Sequence, residues 1–167
     1  MVMHRRSAVL LAALSAVLLS GGCAQPGRLP MHDGQSTKSW QGRLTMRVES
    51  NPVQSFSAGL ELSGDAQVGE LILSSPLGTT LLAVSWHPGQ ATLQRDGQSR
   101  QFESMSALMQ EALGADLPMT ALFAWLAGDN AVVAGWRADL SQLGSGRLSA
   151  RRSEPGPVAE LRLMLER

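Results

Sequence analysis

Strict alternation of apolar and polar residues, in short runs broken by turn signals, recurs along most of this chain and restricts it to an antiparallel β architecture. From Trp40 to Glu49, one side carries Trp40, Gly42, Leu44, Met46 and Val48, the other Gln41, Arg43, Thr45, Arg47 and Glu49. A period of two marks a strand with one face in a core and one in water. Asn51-Pro52 breaks the run, and Phe56, Ala58, Leu60 and Leu62 then alternate with Ser57, Gly59 and Glu61 in a second strand. Gly64-Asp65 turns the chain into a third strand over 69–73. A fourth, over 79–86, sets Thr80, Leu82, Val84 and Trp86 against Thr79, Leu81, Ala83 and Ser85. A strand over 91–95 follows the His87-Pro88-Gly89 turn. Asp96-Gly97, the strongest hairpin signal in the chain, pairs it with 98–102.

The period then changes. Met105, Leu108, Met109, Ala112 and Leu113 recur at helical spacing, between Ser104 as N-cap and Gly114 just past the end. A second short helix opens at Pro118, carries Leu122, Trp125 and Leu126 on one face and stops near Gly128. Strands resume around 135–140, 146–151 and 158–166. The expected fold is mainly β with two inserted helices. It is an incomplete antiparallel β-barrel, strongly curved, whose open concave face the helices cover as a lid. Its interior pattern is apolar, so a hydrophobic cavity follows more easily than an aqueous active site. Trp40, Leu44, Met46, Phe56, Leu60, Leu82, Val84, Leu108, Leu122 and Trp125 are the candidates to line cavity and lid. Spacing alone does not separate a lid from ordinary core packing.

Composition removes most chemistry. Lys+Arg and Asp+Glu are both 14, which leaves no large basic surface for nucleic acid. Three His and one Cys exclude a disulfide framework and a metal site of several Cys and His ligands. His32 lies near the start and His87 in a turn, neither with a partner close in sequence. No nucleophile elbow, phosphate loop or His-Glu-x-x-His motif is present. Carboxylates fall on the polar sides of strands, and Arg151-Arg152 reads as a surface pair. No catalytic residue, metal or cofactor is expected; the chain does not read as an enzyme.

The start of the chain reads as an address. Positive residues before Ser7 lead into an apolar stretch over 7–19, too short to span a bilayer and suited to a signal peptide. Gly21-Gly22 before the lone Cys23 resembles a bacterial lipobox, with Ser20 where leucine is usual. That resemblance implies cleavage before Cys23 and its acylation. Without residues 1–22, and so without Arg5 and Arg6, 12 basic and 14 acidic groups remain. Ala24 stands where an aspartate holds enteric lipoproteins in the inner membrane, which points to the outer one. Residues 23–39, with Pro26, Gly27, Pro30 and Gly34, read as the acylated cysteine and a flexible tether, and 40–167 as the half-barrel domain. Three acyl chains hold such a domain firmly, where a single chain is marginal.

One loop stands out. Ser74-Ser75-Pro76-Leu77-Gly78-Thr79-Thr80 joins two strands, and Pro76 cannot extend a ladder. Leu77 either projects into solvent or folds back on the sheet edge. This passage, the His-Pro-Gly turn, and the stretch Leu117-Pro118-Met119-Thr120-Ala121-Leu122-Phe123-Ala124-Trp125-Leu126-Ala127-Gly128 resemble the outer-membrane lipoprotein receptor family LolB in order and spacing. Gly135-Trp136-Arg137 and Ala159-Glu160-Leu161-Arg162-Leu163 fit the same pattern, so the resemblance runs from Trp40 to the end. It implies a monomeric outer-membrane receptor, lipid-anchored on the periplasmic face. Such a receptor takes acylated lipoproteins from the periplasmic carrier LolA and inserts them into the inner leaflet of the outer membrane. It also implies that Leu77, held between Pro76 and Gly78, protrudes as the membrane-insertion loop. No bond is made in such a transfer. Burying one acyl chain gives roughly 10 kcal/mol before ordering costs, so affinity differences can set its direction. The alternative is a non-catalytic scaffold lipoprotein of an outer-membrane assembly machine.

Overall fold

The computed structural model describes residues 38–133 and 135–166. Cys23, His32, the signal segment and the tether up to residue 37 lie outside the described residues. The chain forms β1 (Ser39–Val48), β2 (Gln54–Gly64), β3 (Gly69–Ser74), β4 (Thr80–His87), β5 (Gln90–Arg95) and β6 (Gln98–Phe102). Then come α1 (Met105–Leu113), α2 (Met119–Leu126), β7 (Trp136–Asp139), a 3₁₀ turn (Leu143–Ser145), β8 (Arg147–Arg152) and β9 (Ala159–Leu165). The strands make one antiparallel sheet in the order β6-β5-β4-β3-β2-β1-β9-β8-β7. The first and last strands therefore lie side by side in its interior.

Register follows the alternation. Leu44 stands opposite Ala58 and Leu163, and Leu163 opposite Leu148. On the other arm Leu62, Leu71, Val84 and Leu93 form one continuous row. All of these are buried, so a single inner face carries the core. A slip of one residue in any strand would turn its apolar set into water. The β5–β6 hairpin closes as the sequence requires: Arg95 pairs with Gln98, and Asp96 and Gly97 both have positive φ, as a two-residue primed turn demands. The β2–β3 turn is held by Asp65, whose Oδ1 accepts the Gln67 N–H at 2.7 Å and the Val68 N–H at 2.9 Å. These bonds, Val68's foremost, hold the Asp65 carboxyl below its ordinary value of 3.8. A depressed carboxylate stabilises the fold above its unfolded pKa and loses that contribution as pH falls through the folded value. The stability gap between the unaltered chain and Asp65→Ala should therefore be open at neutral pH and narrow below the 3.8 that marks the ordinary carboxyl. Urea midpoints measured on both proteins across that range check it; a gap independent of pH would assign the effect to something other than the carboxylate.

α1 begins where expected. The Ser104 hydroxyl accepts the Ala107 N–H at 3.1 Å, and Gly114 ends the helix in the left-handed region at φ 74. Ser104→Ala should lower stability by about 1 kcal/mol, read as a shift in urea midpoint with an unchanged slope. α2 starts one residue later than the sequence suggested: Pro118 is extended and serves as the cap, its carbonyl accepting the Leu122 N–H at 3.0 Å.

The end of α1 and the segment after it touch both arms of the sheet. The Ala112 carbonyl at the end of α1 accepts from Arg95 Nη2 on β5 at 3.0 Å. Only four residues on, the Asp116 carbonyl accepts from Trp136 Nε1 on β7 at 2.9 Å. Two backbone positions that close in sequence are at most about 15 Å apart. β5 and β7 are seven strand positions apart, about 34 Å in a flat sheet. The two long side chains and their hydrogen bonds make up the difference, so the segment from Ala112 to Asp116 links the two arms of the sheet across its inner face. The arms do not meet. The expected incomplete barrel is an open sheet: no ladder joins β6 to β7 among the described residues. α1 packs beside β5 and β6, and Asp116 in the non-helical stretch after it accepts from β7, so this stretch of chain links two edges that no ladder joins among the described residues.

Candidate functional site

The Ser75–Thr79 loop is tied at its base and bare at its tip. Ser75 N–H donates to the Thr79 carbonyl at 2.8 Å, and Gly78 N–H donates to the Ser75 carbonyl at 2.9 Å. The Ser75 hydroxyl also accepts the Thr79 N–H at 3.2 Å. Pro76 occupies the turn position that favours it, and Gly78 takes φ +82, a conformation side chains resist. This rigid turn holds Leu77 outward at 94% exposure. A leucine that could be buried would gain about 2 kcal/mol by it, so stability does not account for its placement.

The connections β1–β2, β3–β4, β5–β6, β8–β9 and α2–β7 all lie at one end of this antiparallel sheet. Exposed Val53, Leu81 and Val132 lie at that same end. β1 begins at the opposite end, so Ser39 and Leu77 lie at opposite ends of the sheet.

The structure brings the cavity candidates together in one cluster. Leu44, Met46, Leu60, Leu82, Val84, Leu108, Leu122 and Trp125 are buried in it, and Trp40 and Phe56 are half-buried against it. Two hollows are described, of about 220 Å³ and 430 Å³. The first lies among Arg137, Ser149 and Glu160 on β7–β9, the second among Thr80, Leu81, Gln94 and Gln98 on β4–β6. Of the ten candidates only Leu82 borders either one. Leu44, Met46, Val84, Leu108 and Trp125 keep 1% or less of their surface exposed, so their own side chains pack closely against one another.

Phe123, outside the face that the sequence assigned to α2, is central to that contact. Its ring lies 5.5 Å from that of Trp40 on β1 and 6.2 Å from that of Trp86 on β4. Trp125, one turn face away, lies 6.4 Å from Trp136 on β7. Each buried indole N–H finds a backbone carbonyl: Trp86 on Asp65 at 3.0 Å, Trp125 on Ala131 at 2.8 Å and Trp136 on Asp116 at 2.9 Å. These bonds fasten turns and helix ends to the sheet.

Arg152 corrects the reading of Arg151-Arg152 as a surface pair. Arg151 is exposed, but β8 runs one residue further than expected and alternation carries Arg152 to the inner face, where it is 6% exposed. The signal was available, since 148, 150 and 152 share one parity. His87 is exposed, its Nδ1 3.3 Å from the Pro88 carbonyl. Among the described residues no group of three or more His, Cys, Asp or Glu side chains comes together, and no helix is long and apolar enough to cross a membrane.

Comparison with known proteins gives this geometry a family. The model of the family "Outer membrane lipoprotein LolB" matches residues 38–155. An outer-membrane lipoprotein LolB of Bordetella petrii is 34% identical, the match covering 92% of this chain and 89% of that one. The LolB of Bordetella parapertussis is 30% identical over 95% and 91%. That of Shewanella woodyi is 35% identical over a shorter stretch, 54% of this chain and 41% of its own. By the family match and by these relatives, the chain belongs to the LolB family of outer-membrane lipoproteins.

Proposed function

We propose that this protein, anchored through an acylated Cys23 on the periplasmic face of the outer membrane, receives lipoproteins from the soluble carrier LolA. It then places them in the inner leaflet, holding their acyl chains between sheet and helices during the exchange. The observation that carries this reading is Leu77. A rigid turn presents an apolar side chain to water at 94% exposure, in a member of an outer-membrane lipoprotein family. An apolar tip of this kind suits the edge of a bilayer, and no covalent chemistry is required.

Acyl binding requires room that the packed interior lacks. α2 is the element that would move, since Phe123 and Trp125 meet the sheet through rings and can separate from it without breaking a strand ladder. The filled interior is also the one observation that favours a non-catalytic scaffold acting through protein surfaces. Transfer separates the two. A purified acylated lipoprotein is offered on the carrier to the mature chain with Cys23 replaced by Ala, and liposomes are then added. Passage to this protein and onward to the liposomes is expected. Absence of transfer to a folded protein, together with no uptake of a hydrophobic dye, would leave the scaffold.

A further inference from the structure

We propose that Arg152 recognises the ester carbonyl oxygens at the glyceryl end of an acylated ligand. This rests on the acyl-binding reading above and goes beyond it by assigning a polar contact within an otherwise apolar interior.

Arg152 is 6% exposed, and its Nε is buried with no hydrogen-bond acceptor among the described residues. Its Nη2 donates to the Pro157 carbonyl at 3.2 Å, and the guanidinium carbon lies 5.8 Å from the centre of the Trp136 ring. No carboxylate pairs with it among the described residues, where the three ion pairs join Arg47 to Glu49, Arg100 to Glu111 and Arg162 to Glu160. A buried guanidinium without a counter-charge is destabilising, and it only donates. An oxygen acceptor brought by a ligand would satisfy the free N–H.

Position says which acceptor. Trp136, Arg152, Ala159 and Val48 form the last row of the inner face at the end that bears the Leu77 loop. Behind it lie two wholly apolar rows, Met46 with Leu161 and Ala150, then Leu44 with Leu163 and Leu148. The Trp136 indole N–H in this row already has the Asp116 carbonyl, so Arg152 Nε is the buried side-chain donor left without an acceptor among the described residues, with hydrocarbon beneath it. A glyceryl diester has the same order, with carbonyls next to the head and tails beyond. Seated tails-inward, it would put its ester oxygens at Arg152 and its head at the end that holds Leu77.

The test compares ligands on the full chain in its Cys23→Ala form, using a diacyl-glyceryl lipopeptide, its dialkyl ether analogue, and diacyl phosphatidylethanolamine against the corresponding ether lipid. The unaltered Arg152 protein should bind each ester about tenfold more tightly than its ether, the scale of a hydrogen bond from a charged donor. Arg152→Met should bring ester and ether to equality by weakening the ester alone, and Arg152→Lys should fall between. Tight, equal binding of ester and ether by the unaltered protein would overturn the role of Arg152 and leave acyl binding intact. So would an ester preference that survives in either variant, or one confined to the lipopeptide. Binding of none of the four ligands would overturn the acyl-binding reading and this proposal with it. The ester–ether comparison needs no variant, so it holds even if Arg152→Met does not fold.

Discussion

Leu77→Glu is expected to leave uptake of an acylated lipoprotein from the carrier within about twofold and to cut its release into liposomes by tenfold or more. The substitution touches no packed atom, since Leu77 stands in solvent on a loop closed by its own backbone bonds. Fold and interior should therefore be unaffected. What changes is the cost of placing the tip among acyl chains. Leucine favours that transfer by about half a kcal/mol and a charged side chain opposes it by about 3 kcal/mol, a combined factor above a hundred at full insertion. Partial insertion reduces the factor, and tenfold is a conservative expectation. Stopped transfer assays with fluorescent lipoprotein measure both steps. Normal release from the variant would remove Leu77 from the mechanism. Loss of uptake with release intact would move it to the carrier-docking surface.

Trp125→Ala is expected to be the most destabilising single change in the helix pair, by about 3–5 kcal/mol. The side chain is fully buried, its ring packs against Trp136, and its N–H satisfies the Ala131 carbonyl. Deleting it opens a cavity between α2 and β7 and leaves that carbonyl without its donor. Domains of this size are stable by roughly 5–15 kcal/mol, so the loss is a large fraction of the whole. Trp125→Phe should lose about 1–2 kcal/mol, keeping most of the volume but not the bond. Urea midpoints give both values. If Trp125→Ala unfolds at the same midpoint as the unaltered chain, α2 is not held by this residue.

Local chemistry was legible in the sequence almost to the residue. The Asp96-Gly97 turn, the Ser104 cap, the Gly114 stop and the inward parity of Leu44, Met46 and Val48 each depend on neighbours a few positions away. Closure was not legible. Whether two distant edges pair depends on how far the arms curl and on what fills the seam, and neither leaves a periodic mark. Phe123 escaped because it lies off the helix stripe of Leu122 and Trp125, yet two tryptophans from separate strands converge on it. Arg152 escaped for the opposite reason: its side-chain type outweighed its parity. From its residues alone Leu77 reads more readily as folded back on the sheet edge; family likeness reversed that, and Leu77 stands 94% exposed.

The interior pairing of β1 with β9 joins strands from opposite ends of the domain, Gly42 against Leu165 and Val48 against Ala159. Such non-local ladders slow folding, because long loops must close before their contacts repay the entropy. On a chain emerging from its N-terminus, β2 through β6 can assemble by successive hairpins while β1 still shows a bare edge on its far side. That edge, bearing Leu44 and Met46, has no partner until the final strand arrives. On that path the sheet is completed between its own two ends, and until then β1 offers an open strand edge of the kind that pairs with other chains.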